Sequence, residues 1–336
     1  MKIEDLIILL DSQNLNKVIE DYPITADFLA NYRLNAISKD QPIKAALVEV
    51  EEEMLEEFGL DRYDLTQQLA LFLSAFSQSE TAINQVSSIT INGGWNKFKE
   101  SENISLTVYA GEIISIVGPT GSGKSRLLND IECLAQKDTP TRRQILVNGE
   151  AVDEIGRFEM VAQLSQNMNF VMDLTVREFL EMHAKCRLLP DINTVVEKSF
   201  ECANQLAGER FSEATKVTQL SGGQSRALMI ADTAFMSDSP IVLIDEIENA
   251  GIDRKQALLI LSKREKIIFI STHDPLLALS ANKRIVIKNG GIAQIIVTTD
   301  EEKNNLEAIE KVDNALQKLR NSLRQGELIT EELLIG

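Results

Sequence analysis

The chain has 336 residues, enough for two domains or for one large domain with an appendage. Its 44% apolar and 25% charged residues are ordinary for a globular protein, and 51 acidic against 34 basic residues leave a formal charge of −17. A surface that acidic repels nucleic-acid phosphates and anionic lipid on average, so no nucleic-acid partner is expected. Cys133, Cys186 and Cys202 are scattered without a CxxC pair, which argues against disulfides and zinc knuckles. The opening MKIEDLIILLDSQ has acids around a short apolar run and reads as no signal peptide. No stretch approaches the roughly 20 apolar residues of a membrane span. The expectation is a cytoplasmic protein with no direct membrane insertion.

Residues 1–86 form an acidic block with sixteen Asp/Glu and six Lys/Arg, a net −10. Leu47, Val50, Met54 and Phe58, then Leu65, Leu69, Leu73 and Phe76, recur at helical spacing, and Pro23 and Pro42 stand where helices start. The pattern predicts a small all-helical domain of four or five helices, with Glu49–Glu57 as a solvated helix face. From Ser87 the texture turns to strands at 88–91, 103–109 and 112–117, then a glycine-rich turn and a helix over 125–136. Apolar strands follow at Ile241–Ile244 and Ile267–Ile270, separated by helical stretches. Strands alternating with helices predict an α/β domain over 87–300 with a largely parallel sheet covered on both faces. Within it, 167–235 reads as a helical subdomain. In 301–336, Ile309, Val312, Leu316, Leu319 and Leu323 predict one amphipathic helix, packed on its own domain or paired with a partner.

Gly118-Pro119-Thr120-Gly121-Ser122-Gly123-Lys124-Ser125, followed by Arg126, fits GxxxxGK[ST] between an apolar strand and a helix, the context that gives the pattern meaning. Such glycines let consecutive backbone N–H groups point at phosphates. Lys124 then supplies a point charge to the β- and γ-phosphates, and the Ser125 hydroxyl helps to hold Mg²⁺. The apolar strand Ile241–Ile244 ends in Asp245 and Glu246, carboxylates at the sheet edge where open α/β sheets bind ligands. Asp245 suits the metal, and Glu246 a general base acting on water. The ligands expected are ATP and Mg²⁺.

Leu220-Ser221-Gly222-Gly223-Gln224, just before a helix, resembles the signature of the ATP-binding cassette (ABC) ATPases. A helix N-terminus with glycine N–H groups suits an anion, and the resemblance implies that this anion is the γ-phosphate of ATP bound to a second protomer. It implies further roles at matching positions. Gln166, in AQLSQ, resembles the glutamine that contacts Mg²⁺ and attacking water. His273, in STHDP, resembles the switch histidine that bonds the γ-phosphate and orients Glu246. Trp95, 23 residues before Gly118, sits where an aromatic stacks on adenine. Asp253, in Ala250-Gly-Ile-Asp253, sits where a loop crosses the dimer interface. The fold implied is a P-loop NTPase of ABC type: a mixed sheet core, an antiparallel β region and a helical subdomain, assembling as a homodimer when ATP is bound.

Two features depart from a transporter ATPase. Asp245-Glu246 continues as Ile247-Glu248-Asn249 instead of Pro-Thr, and only twenty residues separate Asp253 from His273. The segment VIEDYPITADFLANYRLNAISKD, running on to Gly59-Leu60-Asp61, resembles the small helical domain of ScdA-type iron–sulfur repair proteins. Asn35-Ala36-Ile37-Ser38 stands where that family places cysteines, so its metal chemistry is not implied, only a protein-docking module. Every reading shares ATP-driven closing and opening of a head-to-tail dimer. The leading expectation for its load is a soluble ATPase that drives conformational change or activation of a partner protein. The alternative is the ATP-binding subunit of a membrane transporter, peripheral at the inner membrane face. A DNA-associated ATPase ranks third, disfavoured by charge and by the lack of a coiled-coil insertion.

Overall fold

The computed structural model describes residues 3–48, 50, 62–83, 86–152, 160–165, 170–187, 189–246, 252–262 and 265–328. Contacts divide the chain into two compact units, the first running from the N-terminus to Gln85 and the second carrying the sheets. The first contains helices α1 (Ile3–Ser12), α2 (Leu15–Asp21), α3 (Ile24–Asn31), α4 (Ile43–Val48) and α5 (Arg62–Ile83). Pro23 directly precedes α3 and Pro42 directly precedes α4, positions where a fixed φ and a missing N–H cost nothing. Leu6, Leu10, Leu15, Val18, Leu29, Leu47, Leu65, Leu69 and Leu73 meet in one core, all at most 1% exposed. Most of the acidic run Glu49–Glu57, with Met54 and Phe58, lies outside the described residues.

The second unit holds two sheets. Strands β1 (Ser88–Asn92), β2 (Ser105–Tyr109) and β4 (Gln144–Val147) form an antiparallel sheet in the order β2-β1-β4. The larger sheet runs β5-β6-β7-β3-β8-β9, with β3 (Ile113–Val117), β5 (Val161–Leu164), β6 (Ile241–Asp245), β7 (Ile267–Ser271), β8 (Lys283–Lys288) and β9 (Gly291–Val297). Its pairings are parallel except β8 with β9. Strands β6 and β7 are unbroken apolar runs, buried at nearly every position, as central parallel strands covered on both faces must be. Helix α6 (Lys124–Glu132) follows β3. Helices α7 (Val176–Cys186), α8 (Ile192–Leu206) and α9 (Gly222–Phe235) fill the span expected to be helical, and α10 (Arg254–Ser262) and α11 (Pro275–Ser280) flank β7.

The structure corrects two expectations. Helix α6 ends at Glu132 rather than 136, because Leu134 takes φ +47° and the chain turns so that Gln136 pairs with Gln144. The C-terminal segment is two helices, α12 (Asp300–Asn304) and α13 (Leu306–Arg324), instead of one. A capping box at Thr299 and Glu302 starts the first, which buries nothing; the apolar stripe begins only with the second. Strands β8 and β9 are joined at Asn289-Gly290, a hairpin signal between two β-branched runs. Their φ values of +54° and +79° suit the left-handed two-residue turn that such a pair favours.

Candidate functional site

Three neighbouring strands bring the site together. In the sheet register Asp245 of β6 lies beside Ser271 of β7, which lies beside Ile116 of β3. The carboxyl ends of these strands therefore open onto one edge, the ligand-binding edge of an open α/β sheet. Gly118 leaves β3, Glu246 leaves β6, and Thr272-His273 leave β7. Glu246 N–H donates to Ser271 O at 2.9 Å and Thr272 N–H to Ile116 O at 3.1 Å, which fixes where each loop departs. Glu246 sits at φ +49°, a left-handed conformation uncommon for a non-glycine residue and concentrated at functional sites.

The phosphate-type loop is shaped by two glycines. A Cβ on Gly118 would lie 2.5 Å from Ile287 O, and one on Gly123, at φ +110°, would lie 2.9 Å from the Gly290 Cα. No larger residue fits either place without moving backbone. Lys124, 6% exposed, opens α6 and extends its ammonium back over the loop. Nζ donates to Gly118 O at 3.2 Å and lies 2.9 Å from His273 Nε2. His273 Nε2 is also 3.6 Å from Glu246 Oε1. Lysine, histidine and glutamate, remote in sequence, thus converge. Ser125 and Arg126 are exposed on the first turn of α6, and Ser122 Oγ is buried without a hydrogen-bond partner among the described residues. The hydroxyl of Ser125 and the carboxylate of Asp245 are hard oxygen donors, the set that Mg²⁺ takes alongside phosphate oxygens. Gln166 lies outside the described residues, as do Ile247–Gly251.

Trp95 stands 44% exposed on the loop after β1. Its N–H donates to Thr141 O at 2.7 Å, and two residues on Lys97 Nζ donates to Gly121 O at 2.9 Å, so this loop abuts the glycine loop. Sequence reasoning missed what fixes that junction. Arg143 is fully buried and its guanidinium bonds Glu102 through Nε (3.0 Å) and Nη2 (2.5 Å), Asp130 through Nη1 (2.8 Å), and Gly290 O (3.0 Å). Glu102 also accepts from Gly94 N–H and Ile292 N–H. One cation thereby joins the Trp95 loop, α6 and the β8–β9 turn that touches Gly123. Nothing in the local sequence pattern marks it, because its partners come from residues 13 and 41 positions away. Removing one member of a buried ionic cluster costs about 3–5 kcal/mol, because charges are left unpaired. Arg143→Met is therefore expected to lower unfolding free energy by about that amount. A denaturant midpoint equal to that of the parent protein would show the cluster to be dispensable.

The signature segment forms a different surface. Ser221 caps α9: its Oγ accepts from Gln224 N–H at 3.3 Å, and Gln224 Oε1 accepts from Ser221 N–H at 2.9 Å. Gln224 Nε2 is anchored on Glu209 O at 3.2 Å. This reciprocal cap fixes the helix start, while the N–H groups of Gly222 and Gly223 have no intrahelical acceptor. Ser221 and Gly222 are exposed. Asp253 is held by its N–H on Leu206 O at 3.2 Å and caps α10 by accepting from Gln256 N–H at 3.0 Å.

The sequence profile of the ABC transporter family matches residues 101–249. An uncharacterized ABC transporter ATP-binding protein of Methanocaldococcus jannaschii is 51% identical over 253 residues, 74% of this chain and 97% of that protein. The macrolide export ATP-binding/permease protein MacB of Photorhabdus laumondii is 30% identical over 212 residues, which are 59% of this chain but only 32% of the exporter. Among solved structures, a dimeric ATP-binding cassette in a post-hydrolysis state with ADP and Pi superposes with a TM-score of 0.50 at 26% identity, over 63% of this chain and 99% of that one. CbiO1 of Clostridium perfringens, at 0.52 and 21% identity over 71% of this chain and all of its own, shares the fold. The chain belongs to the ATP-binding cassette family. It is an ABC ATPase, an enzyme that binds and hydrolyses ATP.

Proposed function

We propose that this chain is the ATP-binding subunit of a membrane transporter, closing on ATP as a head-to-tail homodimer and opening on hydrolysis. The observation that carries this reading is the 51% identity spanning 97% of an ABC transporter ATP-binding protein. The surface supports it. Val171 and Met172, just beyond the Gln166 segment where the family receives its permease, stand 95% and 42% exposed. Adjacent apolar side chains open to water are a feature of docking surfaces. Among the described residues no helix is long and apolar enough to cross a membrane, so the reading assigns the path to a permease. The soluble, partner-activating role ranked first on sequence has less support from the relatives. The helical unit up to Gln85 is read as a docking module for a protein partner.

In this proposal Trp95 stacks on adenine, and the backbone N–H groups from Gly118 to Lys124 cradle the phosphates, with Pro119, Thr120, Ser122 and Arg126 along the same loop. Lys124 meets the β- and γ-phosphates. Ser125, Asp245 and Gln166 would hold Mg²⁺, which supplies charge neutralisation at the phosphates when bound. Glu246 takes the proton of the attacking water, and His273 orients Glu246 and bonds the γ-phosphate. Ser221, Gly222, Gly223 and Gln224 of one protomer complete the site of the other, and Asp253 reaches across the interface. The convergence of Lys124, His273 and Glu246 supports these roles.

The test is the company the protein keeps. Affinity purification of the full chain from detergent-solubilised native membranes is expected to bring down a permease in fixed stoichiometry. Recovery of a soluble enzyme in fixed ratio instead, with no permease, would return the role to partner activation.

A further inference from the structure

We infer that Arg254 is a positioning residue for hydrolysis, through which helix α13 holds the loop that carries His273. The inference rests on the proposed roles of His273 and Glu246. Arg254 opens α10 directly after Asp253. Its Nη1 bonds Asp274 Oδ2, and its Nη2 bonds Asp313 Oδ2 of α13 at 2.9 Å. The side chains are 17%, 6% and 23% exposed, so the group is screened less than a surface pair. A guanidinium can serve two carboxylates at once because its donors form a rigid planar fork.

Asp274 is the residue after His273, and its polar groups are fully engaged. Oδ1 caps α11 by accepting from Leu276 N–H at 2.8 Å, Oδ2 takes Arg254, and its N–H donates to Thr272 Oγ1 at 2.9 Å. The backbone on both sides of His273 is thus fixed, Thr272 by its N–H on Ile116 O of β3 and Asp274 by Arg254, which brings in α13. A second tie, Lys255 to Glu310 at 2.6 Å, is well exposed and adds little. Displacing α13 from Arg254 therefore loosens the turn whose imidazole lies 3.6 Å from Glu246. The same arginine directly follows Asp253, and its side chain joins α13 to the histidine loop. Hydrolysis is sensitive to this because misplacement of a catalytic group by about 1 Å costs on the order of 100-fold.

The experiment compares Arg254→Ala, Arg254→Lys, Asp313→Asn and His273→Ala in the full chain. ATP turnover is measured alongside ATP binding by fluorescence of Trp95, the single tryptophan of the chain. Arg254→Ala is expected to lower kcat about tenfold or more while the ATP affinity and KM stay within about twofold, because the glycine loop is untouched. Arg254→Lys should recover only part of the rate, since a point charge cannot span both carboxylates. Asp313→Asn keeps the Arg254–Asp274 pair and weakens the tie to α13 by removing the charge of its carboxylate. It is expected to lower kcat several-fold at unchanged affinity, and it decides the matter if Arg254→Ala does not fold. Turnover within twofold of the parent protein in Asp313→Asn and in any Arg254 variant that folds overturns the inference when His273→Ala is inactive. Full turnover in His273→Ala instead overturns the assignment on which it rests.

Discussion

Glu246→Gln is expected to bind ATP, to close into a dimer and to hydrolyse about 10²–10⁴-fold more slowly, the range a positioned general base contributes. The substitution keeps shape and hydrogen-bonding reach but cannot take a proton at neutral pH. The left-handed backbone at Glu246 and its N–H bond to Ser271 O are set by the strand ends and do not depend on the carboxylate, so the fold persists. Removing a negative charge from the side of the γ-phosphate leaves affinity equal or higher. Single-turnover hydrolysis next to size-exclusion chromatography with ATP reads both halves. Undiminished turnover would falsify the role of Glu246 as base.

Ser221→Arg is expected to leave ATP binding intact and to abolish dimer-dependent turnover. The residue is exposed at the start of α9, so an arginine is accommodated; losing the cap costs about 1 kcal/mol and a cation at a helix N-terminus a few tenths more. The large effect falls on the opposite protomer, whose γ-phosphate meets a bulky side chain in place of free N–H groups. On the proposed assignment Lys124→Ala is expected to fail at the other half of the same composite site. Mixing the two variants should therefore restore activity, because one of the two sites in a mixed dimer then carries both intact halves. A mixture as inactive as its components would place the signature outside the partner's site.

The residues that were legible in sequence share a property: each is dictated by local backbone demands. The glycines of 118–123, the apolar runs of β6 and β7 and the helix start at the signature are written within a few neighbouring positions. So is the turn Asn289-Gly290. Arg143 was illegible for a different reason, because its meaning depends on Glu102, Asp130 and Gly290 being brought together by the fold. The same holds for Arg254, whose partners lie 20 and 59 residues away. Gln166 remains an expectation from family likeness, as it lies outside the described residues.

The contact between Lys124 and His273 has a further bearing on how the cycle starts. Nζ of Lys124 lies 2.9 Å from His273 Nε2, so the residue proposed to meet the phosphates and the one proposed to sense them touch each other directly. On the proposed assignment, an incoming triphosphate competes with histidine for the same lysine and frees Nε2 as it wins. Loading and arming then become one event.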